Sequence, residues 1–286
     1  MAKIGVQAMM LKGSFVQRGA YETLRAITEL GYHAVEISQI PMSAENVEQL
    51  EAARDELGMD IASLSTNLRG GGGVAVDALV DDYDKLVADA HRLGARMLRI
   101  GMLPFDAMRS LDRVLAFCDD VEEYAKRLAD DGIGLYYHNH HIEFAKYDGR
   151  LLLDIIAERS PHVGLELDVH WIQRGGKDPV SVIRQYSDRV RMVHLKDYRI
   201  GRMPEDAFAS LEAGDHKGFM EAFTGVVQFG EVGEGNLDFP AIIETSLDSD
   251  AEYLLVEQDQ LYGRDVLESL RISHDNLVEM GYAHLF

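Results

Sequence analysis

The chain has 286 residues, 47% of them hydrophobic, and carries 49 acidic against 28 basic side chains for a formal charge of −21. Such length and apolar content supply a sizeable core and exclude intrinsic disorder. The negative balance, with no run of Lys and Arg anywhere, argues against nucleic acid or an anionic membrane as partner.

The opening stretch, Met1-Ala-Lys-Ile-Gly-Val-Gln, reads as a first strand rather than a secretory leader, because its apolar run is short and Gln7 interrupts it. Strands are expected at residues 3–7, 34–38, 60–65, 96–100, 134–138, 163–168, 190–195 and 253–257. Helical periodicity places helices near 21–30, 43–57, 81–93, 111–130, 151–159, 179–186, 240–246 and 265–280. Ser43 and the Asp178-Pro179 pair are expected at helix starts. Gly31, Gly58, Gly94 and Gly132 fall where helices return to strands. The lone cysteine, Cys118, shares an apolar helix face with Val114, Phe117 and Val121 and reads as core. No apolar stretch approaches the roughly 18 residues a membrane span needs, so a cytoplasmic protein is expected.

Strand starts recur about every thirty residues and the strands are apolar on both faces, as in a buried parallel sheet. Eight such units without a linker predict an α/β fold, a (β/α)8 TIM barrel occupying residues 1–286 as one domain, in preference to an open doubly wound sheet. Residues 197–239 break the spacing and are expected to form a long loop, a partial lid, over the catalytic mouth. Neither Gly230–Asn236 nor Gly70–Gly73 has the spacing or context of a phosphate-binding loop.

In a parallel barrel the strand C-termini build the active site. Strand five runs into His138-Asn-His-His-Ile-Glu-Phe144, strand six ends in Asp168, strand seven carries His194 and strand eight ends in Glu257. Each has an ordinary reading as a cap or a core group, but four neighbouring strands delivering carboxylate or imidazole at one level predict a shared divalent ion. Oxygen and nitrogen ligands without thiolate suit Mn²⁺, which is favoured, or Mg²⁺, Co²⁺ or Zn²⁺.

The segments Tyr137–Phe144, Leu165–Trp171, Gly175–Pro179, His194–Asp197, Val232–Asn236 and Val256–Asp259 together resemble the xylose isomerase-like barrel superfamily, which includes sugar isomerases and epimerases, keto-inositol dehydratases and an apurinic endonuclease branch. The resemblance implies one divalent ion held by Glu, Asp, His and Glu from strands five to eight. Asp168, His194 and Glu257 map onto that set directly. For the first ligand Glu143 is expected, with His138 or His140 as alternatives, since many relatives place the acid where this chain has His138.

Strand alternation puts His138 with His140, and Asp168 with His170, on common faces if the strands continue. His138, Trp171, Glu36 and Asn67 are candidate substrate contacts. Lys196 is expected either to hold a substrate oxygen or to pair with Asp197 on the rim. Glu143, Glu257, His140, His170 and Lys196 are candidate acid–base groups. The predicted chemistry is isomerisation or epimerisation of a small polyhydroxy carbonyl compound through an enediolate. The alternative is a lyase acting on a keto-inositol or 3-keto-glycoside through the same enolate. A nucleic-acid repair enzyme is disfavoured by the charge, and a non-catalytic sugar binder is the remaining rival. The partner is a small sugar or cyclitol, with a homo-oligomer possible. No strand end carries a basic cluster, which tilts against a phosphosugar.

Overall fold

A computed structural model describes residues 2–70 and 76–286, so Gly71–Gly73 of the predicted glycine loop lie outside the described residues. Eight parallel strands form a closed barrel: β1 (Lys3–Gln7), β2 (Ala34–Ile37), β3 (Asp60–Thr66), β4 (Met97–Ile100), β5 (Gly134–His138), β6 (Gly164–Asp168), β7 (Val190–Leu195) and β8 (Tyr253–Val256). Consecutive strands are neighbours, and the pairing of Lys3 with Tyr253 through Val6 with Val256 closes the ring. Helices return the chain outside the barrel. Ser43 caps one by accepting the Asn46 N–H at 3.2 Å, and Gly58 and Gly94 end two in left-handed conformation, φ 67° and 71°.

The strand period of two decides what fills the barrel. Ala34, Ala62, Met97, Met192, Tyr253 and Leu255 form an apolar floor with Tyr136 packed against it. Two residues further along the same strands come Glu36, Arg99, His138, His194 and Glu257, and Glu166 joins them from β6, all buried. An apolar floor therefore carries a polar storey at the strand C-terminal end. Gly164 is required here, because a Cβ at that position would run into the Tyr136 ring.

Residues 197–239 are not a simple loop. Asp197–Ile200 pairs antiparallel with Val227–Gly230, and the hairpin encloses helices Glu205–Glu212 and His216–Thr224. The second helix buries no residue, so its periodicity serves a surface rather than the barrel core. A further short helix, Val169–Arg174, starts directly after β6. Cys118 is fully buried. Among the described residues no helix is long and apolar enough to cross a membrane.

Asp197 anchors the hairpin. Its carboxylate accepts N–H groups from Tyr198 at 2.7 Å, Gly233 at 3.0 Å, Gly235 at 2.8 Å and Leu237 at 3.3 Å. Asp197→Ala strands these donors and is expected to cost about 3 kcal/mol, since hydrogen bonds to a charged acceptor are worth ~1.5–3 kcal/mol each and water replaces some of them. Urea unfolding measures the loss, and an unchanged midpoint contradicts the assignment.

Candidate metal and substrate site

His194 on β7 is the hub of the polar storey. Its Nδ1 lies 2.7 Å from Glu257 Oε2, 3.1 Å from His138 Nε2 and 3.7 Å from Asp168 Oδ2. His138 Nε2 is also 3.4 Å from Asp168 Oδ2. One donor atom from each of His138, Asp168, His194 and Glu257 falls within 4.8 Å of every other. The Asp168 main-chain N–H is held by Asn139 Oδ1 at 3.0 Å, and Asp168 Oδ1 caps the next helix at Trp171 N. Its Oδ2 faces the group.

These four side chains fit a divalent ion. Asp168 Oδ2 accepts no well-formed hydrogen bond although it is buried, and two imidazole nitrogens face each other at 3.1 Å. Two imidazoles and two carboxylates turned toward one another at these distances form a donor set that suits a cation. Spacings near 3 Å between neighbouring donors are what ligands bound at ~2.1 Å around one ion require.

Lys196 closes the group from the hairpin side. Its Nζ is 2.7 Å from Glu257, 3.0 Å from Asp168 and 2.8 Å from Asp259. It does not pair with Asp197, whose oxygens are engaged by the glycine loop. Burial opposes the charge on Lys196, but Asp168, Glu257 and Asp259 outweigh it and hold the ammonium above the usual lysine range. Burial likewise opposes ionisation of Asp168 and Glu257, yet Lys196 and the histidines draw both well below the usual carboxylate range. Burial lowers His138 to about 4, which keeps it a neutral donor.

Glu143 is not in the group. Tyr137 Oη donates to its Oε1 at 2.5 Å and the His140 N–H to its Oε2 at 2.8 Å, so a short turn over His141–Phe144 rolls the acid back as a cap. The structure puts His138, the alternative first ligand, where Glu143 was expected. The common faces fail for the same kind of reason. The strand ends at Asp168, so His170 lies on a helix, where Nδ1 contacts the Asp197 carbonyl at 2.9 Å and the ring stacks on Phe229 at 4.4 Å. Glu36 does not face substrate space, because Arg99 and His194 take its oxygens.

A cavity of about 700 Å³ opens beside the ends of β2, β3 and β4, lined by Asn67, Ile100, Phe105 and His140 among others. His140 joins it to the ligand group, its ring 4.9 Å from His138 and its Nδ1 unpartnered. Trp171 stands behind His140 at 5.2 Å, and Phe229 from the hairpin completes an aromatic wall beside Lys196. Arginines 69, 99 and 113 also border the cavity, but each is paired with an acid.

Sequence reasoning missed Arg99, Glu166, Asp259 and Phe229. Glu166 sits two residues before Asp168 and alternation alone points it into the barrel. Phe229 had no signal, lying in a segment read as loop.

His170 offers a pH test. Burial lowers its imidazole to about 4 in the folded protein, below the ~6.5 of an unfolded chain. The unfolded state binds a proton first, so this stability is complete above pH ~6.5 and is lost as pH falls toward 4, by roughly 3 kcal/mol at most. His170→Gln should flatten the fall in unfolding free energy between pH 7 and 4.5. Equal slopes contradict it.

Residues 24–271 match the family model described as xylose isomerase-like TIM barrel. The chain belongs to the xylose isomerase-like TIM-barrel family. It is 30% identical over 172 residues to the rhizopine catabolism protein MocC of Rhizobium meliloti, 59% of this chain and 50% of that one. It is 23% identical over 186 residues to the inosose dehydratase of Lacticaseibacillus casei, 59% of either. The match thus spans about half the length of these curated relatives. A sugar phosphate isomerase/epimerase from Parabacteroides distasonis superposes with TM-score 0.73 at 20% identity, covering 99% of this chain and 100% of that one.

Proposed function

We propose that this protein is a divalent-metal-dependent enzyme that isomerises or epimerises a small, unphosphorylated polyhydroxy carbonyl compound. The observation that carries the reading is the convergence of His138, Asp168, His194 and Glu257 on one point within 4.8 Å, next to a cavity. A divalent ion held there supplies Lewis-acid stabilisation of the negative charge that develops on adjacent substrate oxygens; Mn²⁺ is the favoured ion. The side chains do the rest. Lys196 donates to a substrate oxygen and keeps the surrounding carboxylates ionised. Glu257, after β8, and His140, after β5, carry the proton from one carbon face or position to the other. Trp171 and Phe229 exclude water, and Asn67 orients a hydroxyl on the cavity side. Among the described residues each arginine bordering the cavity already faces an acid, which favours a neutral substrate over a phosphorylated one.

One second reading has specific support. The curated relatives include inosose dehydratases, so proton removal followed by departure of a β-hydroxyl as water from a keto-inositol or 3-keto-glycoside is the alternative. Incubation with a panel of ketoses and keto-inositols in deuterated water with Mn²⁺ separates them. Carbon-bound deuterium with an epimer or isomer supports the first, and a dehydrated product the second. No exchange with any compound rejects both.

A further inference from the structure

The two ring nitrogens of His194 meet different surroundings. Nδ1 faces Glu257, His138 and Asp168, whereas Nε2 points into the barrel, 3.1 Å from Glu166 Oε1 and 3.3 Å from Glu36 Oε2. The other oxygen of each glutamate faces Arg99, whose Nε donates to Glu36 Oε1 at 2.9 Å and lies 2.8 Å from Glu166 Oε2 as an ion pair. Both glutamates are fully buried and Arg99 is 5% exposed. A guanidinium offers only N–H donors. It therefore leaves Glu166 Oε1 and Glu36 Oε2 turned toward His194, where a carboxylate oxygen accepts an Nε2–H.

We infer that Glu36, Arg99 and Glu166 are positioning residues that hold the Nε2–H tautomer of His194 and thereby aim its Nδ1 lone pair at the metal site. The inference rests on the metal reading above. Carboxylate partners of a ligand histidine generally fix its tautomer and orientation, and their loss costs about 10–100-fold in metal affinity. Glu36, Glu166 and His194 also bring three ligand atoms within 4.8 Å of one another. The Arg99 guanidinium already bridges the two carboxylates, so this group serves the histidine and does not take a second ion.

The isosteric change gives a directional test. In Glu166→Gln, Arg99 can pair only with the amide oxygen, which turns the amide NH₂ toward His194 Nε2. A donor there favours an unprotonated Nε2 and moves the proton to Nδ1, where it blocks the ligand lone pair. Glu36→Gln has the same arrangement and the same consequence. The dissociation constant for Mn²⁺ is read from the paramagnetic resonance of the free ion, with wild type, each variant and the double variant at one pH and far-ultraviolet circular dichroism confirming the fold. About 10-fold weaker binding is expected for each variant and about 100-fold for the pair, with one ion per wild-type chain.

In the Zn²⁺-loaded wild type, long-range ¹H–¹⁵N spectra should show His194 protonated at Nε2, a signature that a purely structural role does not require. Folded variants binding Mn²⁺ within threefold of wild type, an Nδ1–H tautomer in the loaded protein, or two ions per chain overturn the inference. A wild-type chain that binds no Mn²⁺ or Zn²⁺ overturns the metal reading itself, a result distinct from these. Should Glu166→Gln fail to fold, Glu36→Gln and the wild-type spectrum decide the question.

Discussion

Glu257→Gln is expected to lower kcat by about 10³-fold or more while the barrel remains folded. Glu257 Oε2 stands 2.7 Å from both His194 Nδ1 and Lys196 Nζ, the shortest contacts in the ligand group. An amide there either turns its NH₂ toward an ammonium and a metal, or presents a neutral oxygen where a charged one balanced them. Loss of several kcal/mol of charge stabilisation corresponds to three or more decades in rate. The side chain follows the end of β8 and is not part of the apolar floor, and Asp168 and Asp259 still pair Lys196, so circular dichroism should show the fold retained. Retained turnover would remove Glu257 from the machinery.

Lys196→Met should reduce kcat by about 10²–10³-fold, the cost of removing one donor to a developing oxyanion. It should also destabilise the metal-free protein by about 3–5 kcal/mol, because deleting one partner of a buried ion pair leaves the others uncompensated. Asp168 and Glu257 lie wholly inside the barrel with Lys196 as their nearest cation. A divalent ion neutralises the same two carboxylates. Adding Mn²⁺ should therefore raise the melting temperature of this variant more than that of wild type, the excess binding energy appearing as folding stability. Equal shifts would show that the ion and the ammonium do not share those partners.

Much of the barrel was written in local pattern. All eight strands lie within a residue or so of their expected places, because each is a short apolar run bounded by a glycine or a helix start. Helix ends were legible where a residue type has one job, as at Ser43, Gly58 and Gly94. Asp168, His194 and Glu257 could be grouped because adjacent strands end at one level.

What failed depended on where a strand stops. β5 ends at His138 and β6 at Asp168, so the period-two reasoning carried on to His140 and His170 lost its basis one residue beyond. The choice between His138 and Glu143 turned on a four-residue turn whose direction no spacing reveals. The Glu36–Arg99–Glu166 network was open to alternation, since Glu36 and Arg99 lie two residues above the apolar floor and Glu166 two above Gly164. A charged layer inside a barrel is costly unless its members meet, and only the three-dimensional arrangement shows that they do. Of the two helices within 197–239 the first buries Ala207 alone and the second buries nothing, so their apolar positions carried little burial signal.

Anomalous diffraction from crystals soaked in Mn²⁺ tests the central claim most directly. A single peak per chain is predicted within bonding distance of His138, Asp168, His194 and Glu257, absent after chelation and absent in Asp168→Asn. No peak at saturating Mn²⁺, or a peak held by Glu143 with His138 turned away, would contradict the proposed centre.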